Sequence, residues 1–81
     1  MMEENDKNLL IEKHMADIEK IYPGRLLLTK TELARIRNTS ESTINREKKR
    51  SVGVPYKHEG GRILYPVRSI AEWLSKTIQT V

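Results

Sequence analysis

Asn45 and Arg46 are the side chains in this chain best shaped to read another molecule's edge. A guanidinium can make a paired hydrogen bond to guanine, and a carboxamide can do the same to adenine. Ser42 and Thr43 lie just ahead of them, short enough for phosphate or base contacts near a helix start. Lys48, Lys49 and Arg50 follow directly, and Lys57 and Arg62 come later. Such cations suit phosphates, which position a partner without specifying it. Lys48 to Arg50 also suit a helix end, where positive charge meets the dipole favourably. The chemistry such a set would serve is non-covalent recognition of a nucleic acid.

Catalysis has no comparable set. His14 and His58 are far apart in the chain, and no HExxH pair, P-loop or nucleophile elbow occurs. His14 beside Met15 reads as a partly buried helix residue, and His58 as a contact to phosphate or solvent. Glu3, Glu4 and Asp6 read as a solvated tail, since a metal site needs ligands converging on an ordered frame. Gly60-Gly61 is too short to cradle a phosphate and does not open a helix. No enzyme activity, cofactor or metal is expected. There is no cysteine, which excludes disulfides and thiolate zinc sites.

The elements that must position these residues are legible around them. In TKTELARIRNTSESTINR, residues 29–46, Thr29 can cap a helix and Glu32 completes a capping box. Leu33, Ala34 and Ile36 give that helix a small apolar face, with Ala34 small enough for a second helix to cross closely. Asn38 falls where the turn needs a left-handed residue, which asparagine tolerates. Ser40 caps the second helix, about 40–48, and Ile44 faces back onto Ala34. Gly53 and Pro55 end that helix and lead into a strand. Tyr56 to Glu59 and Arg62 to Tyr65 flank Gly60-Gly61, the signal of a tight type I′ hairpin, and Pro66 limits its second strand. Val67 to Ile78 reads as a last helix with Ile70, Trp73, Leu74 and Ile78 as its apolar stripe. At those spacings Trp73 reads as core.

Upstream, residues 1–8 are polar and expected to be disordered. Residues 9–23 read as an amphipathic helix, with Leu10 or Ile11, His14 or Met15, Ile18, and Ile21 or Tyr22 on its apolar side, ended by Pro23-Gly24. That side could cover its own domain or pair with another chain, and a small core favours the first. Leu26-Leu27-Leu28 is a brief strand or buried chain. The fold expected is mainly α with a small β-hairpin wing, and residues 26–78 form its domain.

With 81 residues, the chain is one small domain. Its formal charge of +4 is unevenly spread. Residues 1–28 carry a net −2 and residues 29–81 a net +6. Attraction to phosphate supplies most non-specific nucleic-acid affinity, so the asymmetry is the footprint expected of such a partner; a basic face that is simply solvated would show the same asymmetry. No apolar run is long enough for a membrane and the acidic start is no signal peptide, so a soluble, cytoplasmic protein without a membrane partner is expected. Asn38-Thr39-Ser40 matches a glycosylation sequon by chance.

From Leu26 to Ser75 the chain resembles the excisionase-type, AlpA-like helix-turn-helix family of the MerR-like winged-helix class. Four pieces in order carry the resemblance: LTKTELARI (28–36), NTSESTINR (38–46), VPYKHEGGRILY (54–65) and a closing helix with Ile70, Trp73 and Leu74. It implies a winged helix-turn-helix whose second helix enters the major groove. The wing, 56–65, would touch the backbone or minor groove. Ser42, Thr43 and Arg46 match positions often directed at DNA, and Arg62 follows the wing tip as a basic residue commonly does. The chain departs from the pattern at Asn38, in place of a turn glycine, and at Arg37, Thr39, Glu47 and Lys48, where apolar residues are common. Glu41 would repel phosphate unless it reads cytosine or is paired. The N-terminal helix is an addition.

The function implied is sequence-specific binding of double-stranded DNA. The family's small stand-alone members are phage or mobile-element transcription regulators or excision factors. An excision factor binds repeated sites cooperatively, bends DNA and directs a recombinase. Self-association and a recombinase are therefore the implied protein partners. The alternative is a protein-interaction module, or a phage packaging or replication adaptor, on the same fold. RNA is less suited, because the wing has only Tyr56 and Tyr65 to stack bases.

Overall fold

The computed structural model describes residues 4–77, with side chains from residue 6 to 76. Four helices and a small antiparallel sheet follow in the order α1 (Glu4–Ile21), β1 (Leu27–Leu28), α2 (Lys30–Arg37), α3 (Glu41–Lys49), β2 (Lys57–Glu59), β3 (Arg62–Pro66) and α4 (Val67–Thr77). Residues 1–3 of the expected tail and Ile78 of the expected apolar stripe lie outside the described residues. The first helix begins at Glu4 rather than Leu9, so residues 4–8, expected to be disordered, are helical. Their polar pattern gave no apolar period to extend, and polar residues with fair helix propensity can add turns to a helix anchored further along.

β3 is the middle strand, with β1 on one side and β2 on the other. Its first part pairs with the hairpin partner, Lys57 opposite Leu64 and Glu59 opposite Arg62. Its last two residues pair with β1, Leu28 opposite Tyr65 and Leu27 opposite Pro66. The Leu triplet thus contributes a two-residue strand, Leu27 and Leu28, while Leu26 stays exposed. Pro66 occupies the strand's end, and the next amide, of Val67, donates to the Leu26 carbonyl at 2.9 Å. Gly60 and Gly61 turn the hairpin with φ of 54° and 79°, both in the region glycine enters freely.

Leu28, Leu33, Ala34, Ile44, Val54, Tyr65, Val67 and Ile70 form one buried cluster with Ile18. Met15, Tyr22, Trp73 and Leu74 pack against it. α1 lies along α4, with Ile11 and Ile18 buried, so the first helix covers its own domain. Ile11 is buried where Leu10 is half-buried, and Tyr22 packs on the cluster where Ile21 is exposed, which settles those two alternatives in favour of Ile11 and Tyr22.

Both short helices start as their residues dictate, and α2 also stops so, whereas α3 stops at Ser51, ahead of the expected Gly53 and Pro55. The Glu32 amide donates to Thr29 Oγ1 at 3.2 Å, and the Thr29 amide returns the bond to Glu32 Oε1 at 2.9 Å. Glu32 also binds both terminal nitrogens of Arg25, at 2.7 and 2.8 Å, tying the approach to β1 onto the start of α2. Asn38 ends α2 with φ of 53°, and the amides of Asn38 and Thr39 donate back to Arg35 and Ala34. α3 ends the same way at Ser51, φ 58°, with the Ser51 and Val52 amides donating to the carbonyls of Lys48 and Glu47. Paired returns of this kind are the Schellman closure, whose left-handed position is usually glycine. Ser51 lacks asparagine's tolerance for that conformation, so Ser51→Gly is expected to raise stability by about 1 kcal/mol. Chemical denaturation of the two proteins measures it, with an unchanged or lower midpoint as the contrary result.

Candidate nucleic-acid interface

Ile44 is the one buried residue of α3, and it fixes which side of the helix faces the body. Ser42, Asn45, Arg46 and Lys49 follow helical spacings of three and four and are all exposed. They lie opposite Ile44. The capping hydroxyl of Ser40 accepts from the Thr43 amide at 3.2 Å, which starts the helix one residue ahead of this face.

The other sequence-predicted contacts are less free. Thr43 is half-buried, and its hydroxyl lies 3.1 Å from the Ser40 hydroxyl, so the cap engages it. Lys48 is also half-buried, and its Nζ sits 5.3 Å from the centre of the Tyr56 ring. Arg50 is exposed at the end of the helix, where positive charge meets free carbonyls. Lys57 is exposed in the hairpin but pairs with Glu59 at 3.1 Å. Such half-exposed pairs are worth about 0–1 kcal/mol, so a phosphate could displace Glu59. Arg62 is exposed directly after the hairpin turn, opposite Glu59.

Glu41, expected to oppose phosphate unless paired, accepts a hydrogen bond from Thr31 Oγ1 at 2.8 Å. Its partner is thus a hydroxyl on α2 and not a cation. Tyr56 takes a part the sequence left open. Its ring meets His58 edge-on at 5.6 Å and Tyr65 at 6.1 Å while Lys48 covers it. Tyr65 is core, and burial pushes its phenol up from the ordinary value. Tyr56 therefore joins the end of α3 to the base of the hairpin, and Lys48, Gly53, Val54, Pro55 and Tyr56 line an open cleft of about 350 Å³ there.

Sequence reasoning missed what holds α3 on its other flank. Arg37 on α2 binds Glu47 through both terminal nitrogens, at 2.5 and 2.8 Å, with side chains only 13% and 21% exposed. The same guanidinium lies 4.3 Å from the centre of the Trp73 ring. Trp73 Nε1 donates to the Val52 carbonyl at 3.2 Å, and the Val52 amide donates to the Glu47 carbonyl at 3.0 Å. The loop passes so close that a Cβ on Gly53 would lie 3.1 Å from Glu47 Cβ. Charged residues at these positions looked like departures from an apolar pattern. The available signal was that both departures were charged, with opposite sign.

Among the described residues no three His, Asp or Glu side chains gather as a metal site requires. No described helix is long and apolar enough to cross a membrane. Compared with family models, curated proteins and solved structures, the chain has no match.

The Arg37 hydrogen bonds hold the Glu47 carboxyl below the ordinary glutamate range, and Arg25 does the same for Glu32. A carboxyl depressed in the folded state adds stability that is complete above its unfolded value, about 4.3, and is lost as pH falls through the folded value. The melting temperature should therefore be flat above about pH 5 and fall below about pH 4. Glu47→Gln should melt lower at neutral pH and lose less on acidification. A parallel decline in both proteins would assign the acid sensitivity elsewhere.

Proposed function

We propose that this protein is a winged helix-turn-helix reader of double-stranded DNA, with α2 and α3 as the helix pair and β2–β3 as the wing. The observation that carries the reading is the exposed face of α3. Its only buried side chain is Ile44, and the opposite side offers Ser42, Asn45, Arg46 and Lys49 together. That is the arrangement by which a helix laid in a major groove turns polar side chains to base edges. The asymmetry of charge along the chain supports the same partner, since residues 29–81 hold the positive excess.

In this reading Arg46 and Asn45 specify, and Lys49, Arg50 and Arg62 position. Lys57 joins them if a phosphate replaces Glu59. The resemblance to excisionase-type and AlpA-like proteins makes the role that of a phage or mobile-element transcription regulator or excision factor. The alternative, a protein-interaction, packaging or replication adaptor, would draw support from an open apolar stripe on α1. Ile11 and Ile18 of that stripe are covered within the domain.

Selection from a random duplex library at moderate salt tests the proposal. A short enriched motif, bound well above scrambled duplex, is expected. Absence of enrichment, with binding that disappears as salt rises, would refute a sequence reader. With the motif in hand, Arg46→Ala is expected to relax preference at one base position and cost about 1–3 kcal/mol on the selected site. Equal losses on selected and scrambled duplex would remove Arg46 from base reading. Lys49→Ala should weaken binding to every sequence alike and lower the slope of affinity against salt. A wild-type slope would show that Lys49 meets no phosphate.

A further inference from the structure

α3 is anchored on its body side by a single buried side chain, Ile44. One apolar anchor sets which side of a nine-residue helix faces inward, but by itself it does not fix the tilt of the helix about that contact. A helix that reads base edges must be held to fractions of an ångström, because paired hydrogen bonds lose strength steeply with distance and angle. A second anchor is needed on a flank, away from both Ile44 and the exposed face.

Glu47 occupies that flank, three residues beyond Ile44 and one beyond Arg46. Its carboxylate is held bidentately by Arg37, and its backbone carbonyl by the Val52 amide. Val52 is held in turn by Trp73 Nε1, and the Trp73 face is covered by Arg37. The four residues close a ring of contacts through α2, α3, the following loop and α4. Only arginine completes it, because the guanidinium bonds the carboxylate in its plane while stacking its face on the indole. A lysine ammonium offers the same charge without a plane.

We propose that Arg37 and Glu47 are positioning residues for base discrimination, setting the pose of α3 without touching the partner. This rests on the DNA-reading function proposed above. Phosphate attraction depends on charge and tolerates a helix displaced slightly, whereas base reading does not. The pair therefore governs the ratio of specific to non-specific affinity.

The test compares wild type, Arg37→Lys and Glu47→Gln on the selected duplex and on a scrambled one. Salt is fixed, and the temperature is one at which circular dichroism shows all three folded. Arg37→Lys keeps the net charge, so scrambled binding should stay the same while the ratio falls about tenfold, the size of one lost paired base contact. Glu47→Gln removes a negative charge, so scrambled binding should tighten while selected binding weakens. Opposite movement on the two duplexes is something that loss of fold, which weakens both, does not produce. A wild-type ratio in folded Arg37→Lys and Glu47→Gln overturns the positioning role, and so does an equal loss on both duplexes. No preference by the wild type itself overturns the DNA-reading function, and this inference with it.

Discussion

α2 and α4 both hang from one short ladder. Leu28 opposite Tyr65 and Leu27 opposite Pro66 are its only rungs, yet the chain leaves one end toward α2 and the other toward α4. Leu28 and Tyr65 are both essentially inaccessible to solvent, so the pairing is sealed by apolar side chains as well as by backbone bonds. A ladder of two rungs would be marginal alone. It survives because β3 begins in the hairpin before it reaches Tyr65, which makes the wing and the body share a strand. α1 then closes the structure by covering α4. A small domain has little apolar surface to spend, and here the same few residues serve both the sheet and the helix packing.

α3 is the exception, and much of its attachment is polar. Ile44 holds it in the core, the Arg37–Glu47 pair under Trp73 holds one flank, and the Thr31–Glu41 and Lys48–Tyr56 contacts add to these. The exposed pairs Asp17–Lys20 and Arg68–Glu72 are separated by 4.0 and 3.9 Å and lie in solvent, where such contacts contribute little. The Arg37–Glu47 pair differs in every respect that matters: it is bidentate, mostly shielded, and stacked on an aromatic face. A more apolar contact could hold the helix as firmly. The charged version adds directionality, since a fork and a carboxylate fit in one orientation.

Much of the frame was legible because it is local. Thr29 with Glu32, Asn38, Ser40 and Gly60-Gly61 each act within a few residues, so their spacing alone foretold the caps and turns that the structure contains. Ile44 and Ala34 were legible as well, from their period. What escaped is non-local or lacks a period. The pairing of β1 with β3 joins residues nearly forty positions apart, and a two-residue strand carries no alternation. Arg37 and Glu47 are ten residues apart on different helices, and neither helix pattern announces a partner. The same limit applies at the candidate interface. Residue type marked Thr43 and Lys48 as available, but Thr43 is engaged by the Ser40 cap and Lys48 by the Tyr56 ring. Ser51 escaped for a different reason: nothing about serine suggests a left-handed residue, and only the two return bonds from Ser51 and Val52 require it.

The fold also sorts the charge that the sequence merely contains. Residues 29–81 hold five carboxylates, and each has a partner: Glu32 with Arg25, Glu41 with Thr31, Glu47 with Arg37, Glu59 with Lys57 and Glu72 with Arg68. Among the described residues Arg46, Lys49, Arg50 and Arg62 have no ion pair with a carboxylate, and all four are exposed. Four of these carboxylates are offset by a cation beside them, Glu41 keeps its charge beside a hydroxyl, and Arg46, Lys49, Arg50 and Arg62 are left to act outward. On α3 itself Glu41 is drawn to an α2 hydroxyl and Glu47 to an α2 guanidinium, with Arg46 a weaker electrostatic neighbour of Glu47. The Arg37–Glu47 contact that orients the helix thus also offsets one of its two acids, and geometry and electrostatics at the proposed interface share an origin in α2.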